Sequence, residues 1–120
     1  MLIYKNIEKL DISVIVCMLK SKNKDDVING LLSLTLYGDD WKIAQDTCLS
    51  LLEHEDIDVV KAAVIGIGHT ARVHGKIGQS AITALNSKMN DEDLYGTIED
   101  VFDDIDIYVK NSPILDELSI

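Results

Sequence analysis

The side chains best suited to chemistry in this 120-residue sequence are three histidines, two cysteines and 21 acidic residues. Their spacing does little to support catalysis. His69 and His74 stand five residues apart, so a helix turns them to different faces and the i, i+4 pairing of a helical zinc site is missing. His54 falls in an acidic turn. Cys17 and Cys48 lie inside apolar stretches, which predicts two buried thiols rather than a disulfide, and neither has a base beside it to activate it. Gly66 and Gly68 sit in the middle of an apolar helical stretch and the third glycine of a phosphate-binding loop is absent; no Gly-x-Ser-x-Gly turn occurs. The expectation is a non-enzyme with no metal and no cofactor.

What remains is charge, and it is unevenly placed. The net charge is −10. Near the N-terminus Lys5, Lys9, Lys20, Lys22 and Lys24 outweigh Glu8 and Asp11, whereas from Asp91 onward Lys110 is the only base. A step of 100° per residue puts Asp93, Asp100, Asp103, Asp104 and Ile107 on one helical stripe, with Gly96 between them. Carboxylates in the first turn of a helix favour its dipole, but those from Asp100 to Asp106 lie toward the C-terminal end, where the dipole disfavours them. A contact with a basic partner explains their placement better than helix stability does. Direct nucleic-acid binding is not expected, because phosphate contacts need clusters of Lys and Arg. Further candidate contacts are Ile65, His69 and Arg72, which share a side with Asp58, Lys61 and Ala62 on an earlier helix. Trp41 is another, able either to anchor a partner or to seal the stack.

Period and punctuation predict the helices that carry these residues. Six segments emerge, at about 6–19, 25–37, 41–53, 57–74, 78–89 and 92–109. The first shows apolar residues at Ile7, Leu10, Val14, Cys17 and Met18; the last buries Leu94, Ile98, Val101, Phe102, Ile105 and Tyr108. Asp39-Asp40 suits a helix start, and Gly38 and Gly75 suit helix ends. The fourth segment is apolar on both sides, at Val60, Ala63, Val64, Ile67 and Ala71 and again at Ala62, Ile65 and Val73, as a helix central to a stack would be. One domain over 1–110 with a C-terminal tail at 111–120 is the expected organisation, and Ile114, Leu115 and Leu118 could dock the tail. The apolar run Val14 to Leu19 is too short to span a membrane, and Asp11 splits it from what precedes; it reads as a helix of the mature protein, and a cytoplasmic location is expected.

The third and fourth segments repeat in the fifth and sixth. Ile43, Gln45, Cys48 and Leu51 precede Ile77, Gln79, Ile82 and Leu85 by 34 residues; Asp58, Val59, Ala63 and Ile67 precede Asp93, Leu94, Ile98 and Phe102 by 35. Helix, turn, helix at this spacing marks a stacked α-solenoid unit. Asp58-Val59-Val60-Lys61-Ala62-Ala63 followed by Gly66, after the acidic turn Glu53 to Asp56, resembles the second helix of a HEAT repeat. The likeness is good over Trp41 to Gly75 and weaker over Ile77 to Val109, where Thr97 and Ile98 replace the alanines.

That resemblance implies an all-α, HEAT-like short solenoid of antiparallel helix pairs whose second helices line a protein-binding surface. Small, acidic, helical proteins of this kind are similar to the immunity proteins that bacteria make beside delivered toxins. The expectation is therefore a basic protein partner, a toxin domain of the kind of which many are nucleases, neutralised by occlusion, with no membrane partner. A HEAT-type adaptor or assembly factor for cellular proteins is the alternative.

Overall fold

The structure, a computed structural model, describes residues 7–115. Six helices form: α1 (Ile12–Leu19), α2 (Lys24–Tyr37), α3 (Trp41–Leu51), α4 (Ile57–His74), α5 (Gln79–Ser87) and α6 (Tyr95–Tyr108). Among the described residues there is no strand, only an isolated bridge between Gly78 and Ile114. The fold is all-α, as the periodicity predicts.

Short polar residues start three of these helices by accepting otherwise unpaired backbone N–H groups. Asn23 accepts from Asp25, Asp40 from Lys42 and Ile43, and Asp56 from Asp58. Gly75 ends α4 in the left-handed conformation at φ 64°, where a β-carbon would be strained. Gly38 ends α2 differently, in extended backbone at φ −68° and ψ 145°.

α2, α4 and α6 pack successively in one row, while α1, α3 and α5 form the other, with α1 on α2, α3 against both α2 and α4, and α5 beside α3. α4 is central. It touches α2, α3 and α6, and every residue from Val59 to Ala71 is buried except Lys61 and Ile65. Small residues permit this closeness. A β-carbon on Gly66 would lie 2.7 Å from Cys48 Sγ and 3.1 Å from Thr35 Cγ2, so α2, α3 and α4 meet there with no room to spare. One core cluster runs from Val27 and Ile28 through Val64 and Ile67 to Ile98 and Ile105. The principal extents, 34 × 32 × 31 Å, are nearly equal. Three helix pairs are too few to open into a long groove.

The N-terminal helix departs from expectation. It begins at Ile12 instead of near residue 6; Asn6 and Lys5 lie outside the described residues. The stretch before it lies against α2, with Leu10 N–H donating to Ser33 Oγ at 3.1 Å and Tyr37 Oη donating to the Ile7 carbonyl at 3.1 Å. Packing also turns α1 to another phase. Ile15 is buried and Leu19 half-buried, whereas Val14 and Cys17, both expected inside, are exposed. Cys48 is fully buried, and loss of hydration pushes its thiol pKa well above the ordinary value. At the other end, the Ile114 N–H donates to the Ile77 carbonyl at 2.9 Å, and the Gln79 N–H donates to Ile114 O at 2.6 Å. The tail thus holds the loop before α5 by its backbone, while the Ile114 and Leu115 side chains stay exposed. Leu118 lies outside the described residues.

Candidate partner-binding face

α6 begins at Tyr95, preceded by a turn in which Asp91 O accepts from the N–H groups of Leu94 and Tyr95 at 3.0 and 2.9 Å and Asp91 Oδ1 accepts from the Asp93 N–H at 2.9 Å. Asp93 is therefore exposed in a turn, out of helical phase with the stripe it was expected to head. Leu94, Ile98, Val101 and Ile105 form the buried edge of α6. Opposite them Asp100 and Asp103 are exposed, and Ile107 is 57% exposed. Gly96 stands open, with nothing within 4 Å of where its β-carbon would be.

The exposed face is broader than the predicted stripe. Tyr95, Glu99, Asp106 and Tyr108 also face solvent. Asp104 and Val101 mark the side of α6 turned to α4, since both approach Gly68 to 3.2 Å of its would-be β-carbon. Helical steps of 100° then place Asp100 and Ile107 beside that seam, while Glu99, Asp103 and Asp106 point away from α4. The carboxylates wrap around the end of the even-numbered row because no further helix among the described residues covers it. Tyr108, expected in the core, is 44% exposed: the core edge ends at Ile105, and the chain leaves the helix in extended backbone at Val109. Tyr95 bonds its hydroxyl to Glu99, whose charge raises the phenol pKa further. Tyr95 and Glu99 are an i, i+4 pair, a spacing that would have flagged them.

On α4 the predicted contacts separate. Arg72 is exposed, its Nε 4.0 Å from Asp104 Oδ2, a loose ion pair between partly exposed groups that contributes little stability. Ile65 is half-buried and packs against the core cluster. His69 and Ala62, expected on the outer side, are inside at 8% and 0% exposure. His69 Nδ1 lies 3.2 Å from Thr35 Oγ1. Burial, aided by the Arg72 charge, lowers the His69 pKa to about 4, so the ring is neutral near pH 7. Ala62 and His69 are buried because α4 has neighbours on three sides, which leaves only a narrow outer strip at Lys61, Ile65 and Arg72. Trp41 opens α3 in the other row and is half-buried.

Several other titratable groups are engaged in structure. His54 Nδ1 accepts from the Asp56 N–H at 3.0 Å and so staples the turn before α4. Lys24, at the start of α2, donates to Asp58 Oδ2 at 2.6 Å at the start of α4. That bond raises the lysine pKa and lowers the carboxylate pKa. Among the described residues, no group of three or more His, Cys, Asp or Glu is placed to hold a metal ion, and no helix is long and apolar enough to cross a membrane.

The chain as a whole is similar to a chain in the crystal structure of a CDI complex from Cupriavidus taiwanensis LMG 19424, with a TM-score of 0.79 and 25% sequence identity over 90% of this chain and 98% of that one. No protein-family model and no curated protein matches the sequence.

Proposed function

From that shared fold, we propose that the chain is an immunity protein of a contact-dependent inhibition system and that it binds and neutralises a toxin domain. The observation that carries this reading is the structural match, which spans nearly the full length of both chains. A protein of this type works by binding, not by catalysis, and it meets the toxin in the cytoplasm of the cell it protects. Its HEAT-like character rests on the paired rows and on the Asp58 to Gly66 motif of α4.

The outer face of α6 is the proposed contact. Glu99, Asp100, Asp103 and Asp106 present charge, and Tyr95, Ile107 and Tyr108 supply exposed apolar surface of the kind that anchors interfaces. A basic toxin fits this face. Where the toxin is a nuclease, the carboxylates occupy positions its basic groups would otherwise offer to phosphates. The test is co-expression with a candidate toxin domain of a contact-dependent inhibition system. Restored growth and a stoichiometric complex are expected; a purified pair that neither associates nor restores growth would sink the immunity reading.

A further inference from the structure

Four glycines stand inside helices: Gly30, Gly66, Gly68 and Gly96. Glycine weakens a helix, because it loses the most backbone freedom on folding and has no side chain to bury. Three of the four have an internal reason. A β-carbon would fall 2.9 Å from Met18 Cβ at Gly30, 2.7 Å from Cys48 Sγ at Gly66, and 3.2 Å from both Asp104 Oδ2 and Val101 Cγ2 at Gly68. In each case a neighbouring helix needs the space. Gly96 would meet nothing within 4 Å among the described residues, and its φ is not positive, so neither packing nor backbone conformation requires it.

Helical steps of 100° put Gly96 opposite the buried edge of Ile98, Val101 and Ile105, at the centre of the outer face of α6 and in line with exposed Asp100, Asp103 and Ile107. Side chains on a helix lean toward its N-terminus, so Glu99 and Asp100, one turn later, border the gap on its two sides. Tyr95, 45% exposed, stands on the Glu99 side with its hydroxyl bonded to that carboxylate. The outcome is a notch with a bare backbone floor and acidic rims. We infer that Gly96 is where the main chain of the bound toxin crosses α6, with a basic side chain of the crossing segment held between Glu99 and Asp100. This rests on the immunity reading above and deepens it: the carboxylates select a basic surface, and the notch sets where that surface comes closest. An apolar or acidic segment pressed there would leave the rim carboxylates desolvated and unpaired; a basic one satisfies them. The positive pole of the α6 dipole, about half a unit charge, opposes a cation near the first turn, but two full carboxylate charges outweigh it.

The test is calorimetric titration of the full chain with a candidate toxin domain of a contact-dependent inhibition system, as wild type and as Gly96→Ala and Gly96→Leu. Affinity should fall about tenfold for alanine and about a hundredfold for leucine, as the added side chain holds the partner's main chain away. The urea midpoints of both variants should equal or exceed that of the wild type, because alanine and leucine are better helix formers than glycine. Weaker binding with undiminished folding marks a residue kept for contact, which a structural role would not produce. Asn86→Leu, at an exposed site on α5, adds the same side chain away from this face and should leave affinity unchanged. One segment fills the notch and pairs with its rim, so Gly96→Leu combined with Asp100→Asn should lose less than the product of the two single losses. A complex indifferent to Gly96→Leu, equally weakened by Asn86→Leu, or showing losses that simply multiply in the double variant overturns this inference and leaves the immunity reading in place. A wild-type chain that forms no complex overturns both.

Discussion

Gly66 and Gly96 show how one residue type has opposite meanings in two settings. Alanine at Gly66 gains about 1 kcal/mol of helix propensity but drives a methyl group to 2.7 Å from Cys48 Sγ in a seam of three helices. Overpacking wins, and a net loss on the order of 1–2 kcal/mol is expected in urea unfolding. Alanine at Gly96 meets nothing within 4 Å and should stabilise by a few tenths to about 1 kcal/mol. His69 makes a second residue-level prediction. Its folded pKa is about 4, below the 6.5 of an exposed ring, so between these values the unfolded chain binds a proton that the folded chain refuses. The stabilisation is complete above pH 6.5 and is lost as pH falls toward 4, at a slope of at most about 1.4 kcal/mol per unit. Unfolding midpoints measured across that window should fall for the native chain and fall less for His69→Gln. The histidine's placement was not legible in the sequence, since a position on α4 is inside or outside only by virtue of which helices surround it.

Helix identity and order were readable because period and caps act locally. Asp40, Asp56 and Gly75 mark the bounds of α3 and α4 in sequence, and they do so in the structure. α1 was misread because two bonds to Ser33 and Tyr37, distant in sequence, hold its first residues out of the helix. At this scale the prediction concerns α6. Asp100→Lys with Asp103→Lys alters exposed groups, so the melting temperature should change little while affinity for the proposed toxin partner drops by about a hundredfold or more. Calorimetric binding unchanged by the pair would remove α6 from the interface and leave the immunity reading standing. Arg72→Ala, which removes a pair only 4.0 Å long, should matter far less to stability, by under about 1 kcal/mol.

The molecule as a whole separates charge along the stack, with lysines near α1 and carboxylates around α6. A partner of opposite sign is then steered before contact, so the association rate with a basic toxin should fall steeply from low to physiological salt while the dissociation rate changes little; stopped-flow mixing reads both. The same whole-molecule view explains what could and could not be read beforehand. The sequence by itself determined the all-α class, the number and order of the helices and the acidic character of the last one, because these follow from spacing and side-chain type within a single element. Only tertiary packing decided that α4 is enclosed on three sides, that His69 is inside, that α1 turns Ile15 inward and leaves Ile12 and Val16 outward, and that the carboxylates of α6 wrap the end of the row. Burial is a relation between elements, and the pattern of one helix specifies an apolar side without saying how many neighbours will cover it.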